Sequence, residues 1–268
     1  MIEVVAVAMR WIVLKFGGTS VSRRHRWENI GRLMRERQQQ GVGVVTVVSA
    51  LSGVTDALKA LIALHGDPAA MAAAGEALIE RHLAFARDLD VAPAVLNHRV
   101  AELRRLVGDV RAAAGGHAWQ AEVQAQGELW SSTLGAHFLA GLGMAVQWLD
   151  ARDYLTSREQ ALATEWSRYQ SAICEPRPSV AVQQDLAARG TLFITQGFIA
   201  RQPGGDTVLL GRGGSDTEGP GDVPGAVKGS HFGTPAKADI LGQGGSAVAG
   251  SGHRRKRPRP ESPVRCGT

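Results

Sequence analysis

The sequence predicts an α/β protein in which a mainly parallel sheet is sandwiched between layers of helices, and three observations predict it. A short apolar run, Ile12-Val13-Leu14-Lys15-Phe16, ends in Gly17-Gly18-Thr19-Ser20 and passes into a segment of helical character. The helical stripe Trp27, Ile30, Leu33 and Met34 then closes at Gly41 and gives way to Val42-Gly43-Val44-Val45-Thr46-Val47-Val48. That run is β-branched and uncharged, as a strand buried on both faces must be. Strand, helix and strand at this spacing form a βαβ unit, whose right-handed crossover makes the two strands parallel. At 268 residues and 44% hydrophobic content, the chain is long enough to bury a sizeable core.

The remaining elements follow in order. The second strand runs into Ser49-Ala50-Leu51-Ser52-Gly53-Val54-Thr55-Asp56, a small-residue turn at the same end of the sheet as Gly17-Gly18. Strand C-terminal ends gather the ligand-binding loops of parallel sheets, so both turns are expected to face one crevice. Residues 56–65 continue as a helix, and Asp67-Pro68 starts another. Residues 69–88 and 94–114 read as a helical excursion of packing elements, closed by Gly115-Gly116, and a third long helix spans residues 117–142. Residues 144–150 are the next strand, leading into a polar loop at Asp150, Arg152 and Asp153; residues 156–178 carry no clear pattern. Residues 180–189 read as a helix and 191–200 as one strand. The turn 202–206 makes a hairpin whose second strand, 207–210, delivers Gly211-Arg212-Gly213-Gly214-Ser215-Asp216-Thr217.

Net charge is +5 and the isoelectric point near 9.7, which invites a nucleic-acid reading. The placement of the charge argues against it. Residues 218–268 hold eight Lys/Arg and four Asp/Glu, which leaves the first 217 residues at +1. The same 51 residues contain eleven glycines and six prolines, against 22 and five in the far longer body, so composition breaks near residue 217. The basic run beginning at His253 reads as part of a solvated tail. Cys174 and Cys266 are far apart and lack metal-ligand spacing, so both read as free thiols in a reducing compartment. No apolar run reaches the length of a membrane span and the first ten residues lack signal-peptide features, which predicts a cytoplasmic protein without membrane association. The histidines are scattered without metal-like pairing, and no metal site is expected.

Glycines at a strand-to-helix turn let backbone N–H groups converge, and a helix N-terminus with a lysine adds positive charge, so phosphate is a natural guest of Lys15, Gly17 and Gly18. An ordinary turn with a surface lysine reads the same way. Gly213 and Gly214 make a second such cradle, with Arg212 beside it. Arginine pairs in planar bidentate fashion with carboxylates, whereas lysine serves phosphate as a compact charge, which points to a phosphate donor near Lys15 and a carboxylate-bearing substrate near Arg212. There is no Walker A motif and there are no protein-kinase HRD or DFG signatures.

Five runs occur in a family order: KFGGTSV from Lys15, SALSGVT from Ser49, QGELWSSTL from Gln126, TQGFIA from Thr195 and GRGGSDT from Gly211. Together they resemble aspartate kinase, of the amino-acid kinase superfamily, over residues 12–217. The resemblance implies a three-layer sandwich of amino-acid kinase type. It implies transfer of the ATP γ-phosphoryl to the side-chain carboxylate of L-aspartate, the first step toward lysine, threonine and methionine, with Mg²⁺ as counter-ion and, in the intact family, a homo-oligomer. It implies that Lys15 is the catalytic lysine, that Gly17, Gly18, Gly213 and Gly214 bind phosphate, and that Thr55 and Glu128 bind aspartate. Arg212 would clamp the substrate α-carboxylate, Ser215 complete the pocket, and Asp216 position Lys15 and the reacting groups. Without the resemblance, Glu128 on a long helix reads as a solvated charge and Thr55 as a turn hydroxyl.

The expected layout is an N-terminal extension over residues 1–11, the substrate-binding part of the kinase domain over 12–217, and a tail over 218–268 that is disordered or translated out of frame. Most of the nucleotide half is then missing, so the domain is C-terminally truncated, with an uncovered sheet edge and little or no kinase activity. The alternatives are a non-catalytic fragment that binds aspartate and another amino-acid kinase; Thr19-Ser20 after Gly18 and the QGELWSS segment argue against the latter.

Overall fold

The structure, a computed structural model, describes residues 9–159, 162–174 and 180–211. Strand β1 (Arg10–Phe16), helices α1 (Gly18–Val21) and α2 (Arg24–Gln39) and strand β2 (Val42–Val48) make the expected βαβ unit, with β1 and β2 parallel. β1 begins inside the stretch read as an extension, because Trp11 is buried against Phe193 with ring centroids 5.9 Å apart. The helical excursion comprises α3 (Val54–Ala63), α4 (Pro68–Asp88), α5 (Asn97–Val107) and α6 (Val110–Ala114). The stretch 94–114 is not one piece: a 3₁₀ turn (Pro93–Leu96) precedes α5, and Asp109 starts α6 afresh by accepting the Arg111 N–H at 2.8 Å.

The rest of the chain forms α7 (His117–Gly141), β3 (Val146–Trp148), α8 (Ala151–Tyr154), α9 (Glu165–Gln170), α10 (Val180–Arg189), β4 (Leu192–Gln196), β5 (Ile199–Arg201) and β6 (Thr207–Leu209). The polar loop expected after β3 is the capped short helix α8. Asp150 accepts the Arg152 N–H at 3.0 Å and pairs with the Arg152 guanidinium at 2.9 and 2.6 Å. Burial alone would raise the Asp150 pKa, but the bonds to Arg152 outweigh it and hold the carboxyl below its ordinary range. The single strand expected over 191–200 is two strands in different sheets. β4 belongs to the main sheet, whereas β5 pairs antiparallel with β6. Between them Phe198 adopts φ +67°, in a tight turn where the Ile199 N–H meets the Gly197 carbonyl at 2.8 Å.

The main sheet runs β1-β2-β4-β3, all parallel. Lys15 lies beside Val47, and Val47 beside Thr195, so the C-terminal ends of the three strands come together. Val44 and Val48 enter one apolar cluster, with Trp27, Leu58 and Leu134; Val45 and Val47 enter another, with Trp11, Phe193, Ala200 and Leu209. Alternation along β2 thus feeds both faces, the signature of a central strand in a three-layer sandwich. Cys174 is a free thiol whose burial pushes its pKa up to about 11, which leaves it unreactive. Among the described residues no helix is long and apolar enough to cross a membrane.

Helix α7 is the spine of the molecule and is buried over most of its length. Its glycines set how close it approaches its neighbours. A Cβ on Gly135 would lie 2.1 Å from Trp27 Cη2, and the Trp27 ring cannot swing away because its Nε1 donates to the Val21 carbonyl at 2.8 Å. Gly135→Ala gains about 1 kcal/mol of helix propensity, yet overpacking a rigid core costs about 1–3 kcal/mol and more where nothing can yield, so the clash decides the sign. Thermal denaturation should show a lowered midpoint for Gly135→Ala; an unchanged or raised midpoint would show that the Trp27 pocket relaxes.

Candidate active site

The turns expected to line a crevice follow β1 and β2, whose C-terminal ends lie beside that of β4. Lys15 is the penultimate residue of β1 and is half-buried; Gly17 is the N-cap of α1. Gly18 has an ordinary φ, so its need for glycine comes from space. A Cβ there would sit 2.8 Å from the Ala50 carbonyl oxygen and 3.3 Å from the Ser52 nitrogen, both backbone atoms of the turn after β2. The two turns expected to share a crevice therefore touch. Ser49 strengthens the junction, since its N–H donates to the Phe16 carbonyl at 3.1 Å.

On its other side Ala50 meets helix α7, where its N–H donates to Glu128 Oε1 at 3.2 Å. Glu128 is only 4% exposed, which overturns its reading as a solvated helical charge. Burial pushes its pKa up to about 8, with the Ala50 N–H pulling more weakly in the opposite direction. Burying a carboxylate carries a large desolvation cost unless a cation is paired with it. Thr55 stands half-buried at the second position of α3, after Gly53, whose φ of +76° gives the chain its sharp entry into the helix. The preceding residue, Val54, packs at the Gly127 position of α7, immediately before Glu128.

Three residues absent from the predicted site, Ser131 and Ser132 of α7 and Gln196 of β4, complete its polar face. Ser131 donates to the Ser49 carbonyl at 2.7 Å. Ser132 receives Gln196 Nε2 at 2.8 Å and Trp148 Nε1 at 2.9 Å, which ties the ends of β4 and β3 to the helix. Gln196 also accepts the Ala151 N–H at 2.8 Å and donates to the Leu149 carbonyl at 3.1 Å. Glu128 and Ser131 thus both address the turn after β2, while Ser132 addresses the ends of β4 and β3, and the spacing of Glu128 and Ser131 by three residues on one helix face was the available signal. Phe198, at the strained turn that ends β4, carried no such signal. Arg212, Gly213, Gly214, Ser215 and Asp216 lie outside the described residues, which stop at Gly211. A cavity of about 260 Å³ opens elsewhere, between Arg99, His137 and Trp148; neither Lys15 nor Glu128 lines it.

The profile of the amino acid kinase family matches residues 10–218. The chain belongs to the amino acid kinase family. Its sequence is 31% identical to the aspartokinase of Chlamydia trachomatis over 214 residues, covering 76% of this chain and 44% of that protein. It is 30% identical to the chloroplastic bifunctional aspartokinase/homoserine dehydrogenase 2 of Arabidopsis thaliana, over 77% of this chain and 23% of that protein. The fold matches E. coli aspartokinase III, solved in complex with aspartate and ADP in its R-state, with a TM-score of 0.61 at 29% identity, covering 77% of this chain and 45% of that one. The chain spans less than half the length of each of these relatives.

Proposed function

We propose that this chain carries the aspartate-binding and phosphoryl-contacting part of an aspartate kinase, acting in the cytoplasm at the head of lysine synthesis. The observation that carries the reading is the contact of three motifs at one residue. The Ala50 carbonyl packs against Gly18, where a Cβ would meet it at 2.8 Å, and the Ala50 N–H donates to Glu128. A phosphate-binding turn and a buried carboxyl suited to an ammonium group are thereby held on either side of one residue.

In this reading Glu128 receives the α-ammonium of L-aspartate and Thr55 hydrogen-bonds the substrate. The side-chain carboxylate of aspartate is ionised at pH 7, so the reaction asks no general base of the protein. One of its oxygens forms a bond to the γ-phosphorus as the bond between that phosphorus and the ADP oxygen breaks. ATP supplies the phosphoryl group, and Mg²⁺ travels with its phosphates. The closeness of the Gly18 backbone to its neighbours leaves no room for a side chain, and Lys15 stands three residues ahead, a combination that fits an anionic group. Lys15 neutralises the charge that develops on the transferring group, with the Gly17 and Gly18 N–H groups beside it. The roles of Arg212 on the α-carboxylate, Gly213 and Gly214 on phosphate, Ser215 in the pocket and Asp216 beside Lys15 rest on the resemblance. We assign residues 218–268 to a tail outside this unit.

The test is an ATP/Mg²⁺ assay with L-aspartate on the 268-residue chain, trapping the acyl phosphate with hydroxylamine, beside calorimetric titration with L-aspartate. L-Aspartate should bind. Any hydroxamate formed should fall by about 10²-fold or more in Lys15→Ala, with the affinity for aspartate little changed, as expected of a group that acts on the transition state. A chain that binds no aspartate refutes the reading, and hydroxamate that persists in Lys15→Ala refutes the role of Lys15.

A further inference from the structure

The turn after β2 is tied down through both polar groups of one residue, by two side chains that have no part in the site as drawn above. Ser22 Oγ donates to the Gly18 carbonyl at 2.6 Å and accepts the Ser52 N–H at 2.8 Å. From the middle of α4, Arg81 donates a guanidinium N–H to the Ser52 carbonyl. Ser52 and Gly53 are exposed at the tip of the turn, and Gly53 is left-handed. An exposed turn hinged at glycine is where a crevice opens most readily. Here the tip is fastened to the phosphate turn on one side and to the helical excursion on the other.

The anchor behind Ser22 is itself rigid. Val21, its neighbour, is fully buried, and its carbonyl receives the buried Trp27 Nε1 at 2.8 Å. Arg26 Nη1 donates to the Thr19 carbonyl at 2.8 Å, which fixes the same short helix from outside. A hydroxyl held this way transmits the position of one turn to the other rather than following it.

We infer that Ser22 and Arg81 are positioning residues that clamp the Ser52 peptide groups. Through them Ala50 and Thr55 keep their register with Gly17-Gly18, so that the substrate side and the phosphate side of the crevice move as one body. The inference deepens the aspartate kinase reading and rests on it for the substrate. It also explains why an arginine in the alanine-rich excursion reaches back to the strand ends.

The test uses the full chain with Ser22→Ala, Ser22→Thr, Arg81→Gln and Arg81→Lys, measuring amide hydrogen exchange at Ser52 and Gly53 and calorimetric affinity for L-aspartate. In Ser22→Ala the Ser52 amide should exchange more than about tenfold faster and L-aspartate should bind several-fold more weakly, with the thermal midpoint nearly unmoved. Ser22→Thr, which keeps the hydroxyl, should restore both readouts. Arg81→Gln should loosen the same amides, and Arg81→Lys should recover part of the loss. Unchanged exchange in Ser22→Ala overturns the clamp; faster exchange with unchanged affinity overturns its role in positioning. If the wild-type chain binds no L-aspartate, the kinase reading falls with the substrate part of this inference, and the exchange rate at Ser52 still decides whether the clamp exists.

Discussion

L-Aspartate is expected to bind the wild-type chain more tightly, by about tenfold or more, at about pH 8.5 than at about pH 6, because Glu128, the proposed partner of its ammonium, titrates between them. The free protein holds Glu128 neutral up to about pH 8, since burial penalises its charged form. An ammonium gains a full ionic partner only when that proton leaves. Each unit below the pKa therefore costs about a factor of ten in affinity. Calorimetry near neutral pH, in buffers of different ionisation enthalpy, should register close to one proton released per aspartate bound. Glu128→Gln should bind weakly at every pH and lose the slope; a wild-type affinity that is flat over the same range would refute the assignment.

The same group has an opposite effect on stability. A carboxyl whose folded pKa is raised stabilises the fold fully below its unfolded pKa, near 4.5, and that contribution is lost as pH rises toward about 8. Glu128→Gln, which keeps an oxygen for the Ala50 N–H, should therefore match the wild type in thermal midpoint at acid pH and exceed it at alkaline pH. The residue proposed to hold the substrate ammonium is one the fold would be more stable without.

Gly18→Ala should be as damaging for a different reason. The added Cβ would meet two backbone atoms, the Ala50 oxygen at 2.8 Å and the Ser52 nitrogen at 3.3 Å, and no side chain there can turn aside. Relief requires the two turns to separate, at about 1–3 kcal/mol, and separation draws the Ala50 N–H away from Glu128. Aspartate affinity should fall by about tenfold or more together with the thermal midpoint. Gly141→Ala, where a Cβ would meet nothing within 4 Å, is the control and should be neutral. A Gly18→Ala chain that binds and melts like the wild type would show that the turns are not in contact.

The βαβ unit was legible because β2 is uniformly apolar and α2 carries a clean stripe, both local properties of the chain. The burial of Glu128 was not read, although the material for it was present. Between residues 123 and 142 it is the one Asp, Glu, Lys or Arg, so α7 has no charged face to turn to water and its lone carboxylate had to go inside. The split of 191–200 into β4 and β5 depends on a left-handed Phe198, a conformation that tertiary contacts impose against residue preference. Likewise Asp150 looked like a loop charge and Asp109 lay inside a stretch read as helical throughout, because a cap is recognised only once the helix that follows it is known. Ser22 and Arg81 were out of reach for a simpler reason: their partners are 30 and 29 residues away.

The crowding around Ala50 also determines where the chain can change length. The peptide groups of Ser49, Ala50 and Ser52 are committed in turn to Phe16, Ser131, Glu128, Ser22 and Arg81, so a single residue inserted there would put every later contact out of step. The turns at Gly66 and Gly143 are different: both glycines are left-handed, and a Cβ on either would meet no atom within 4 Å. Tags, reporter loops or a fused partner belong at those two turns, and homologous sequences should drift in length there while holding the Ser49–Thr55 segment to a fixed count.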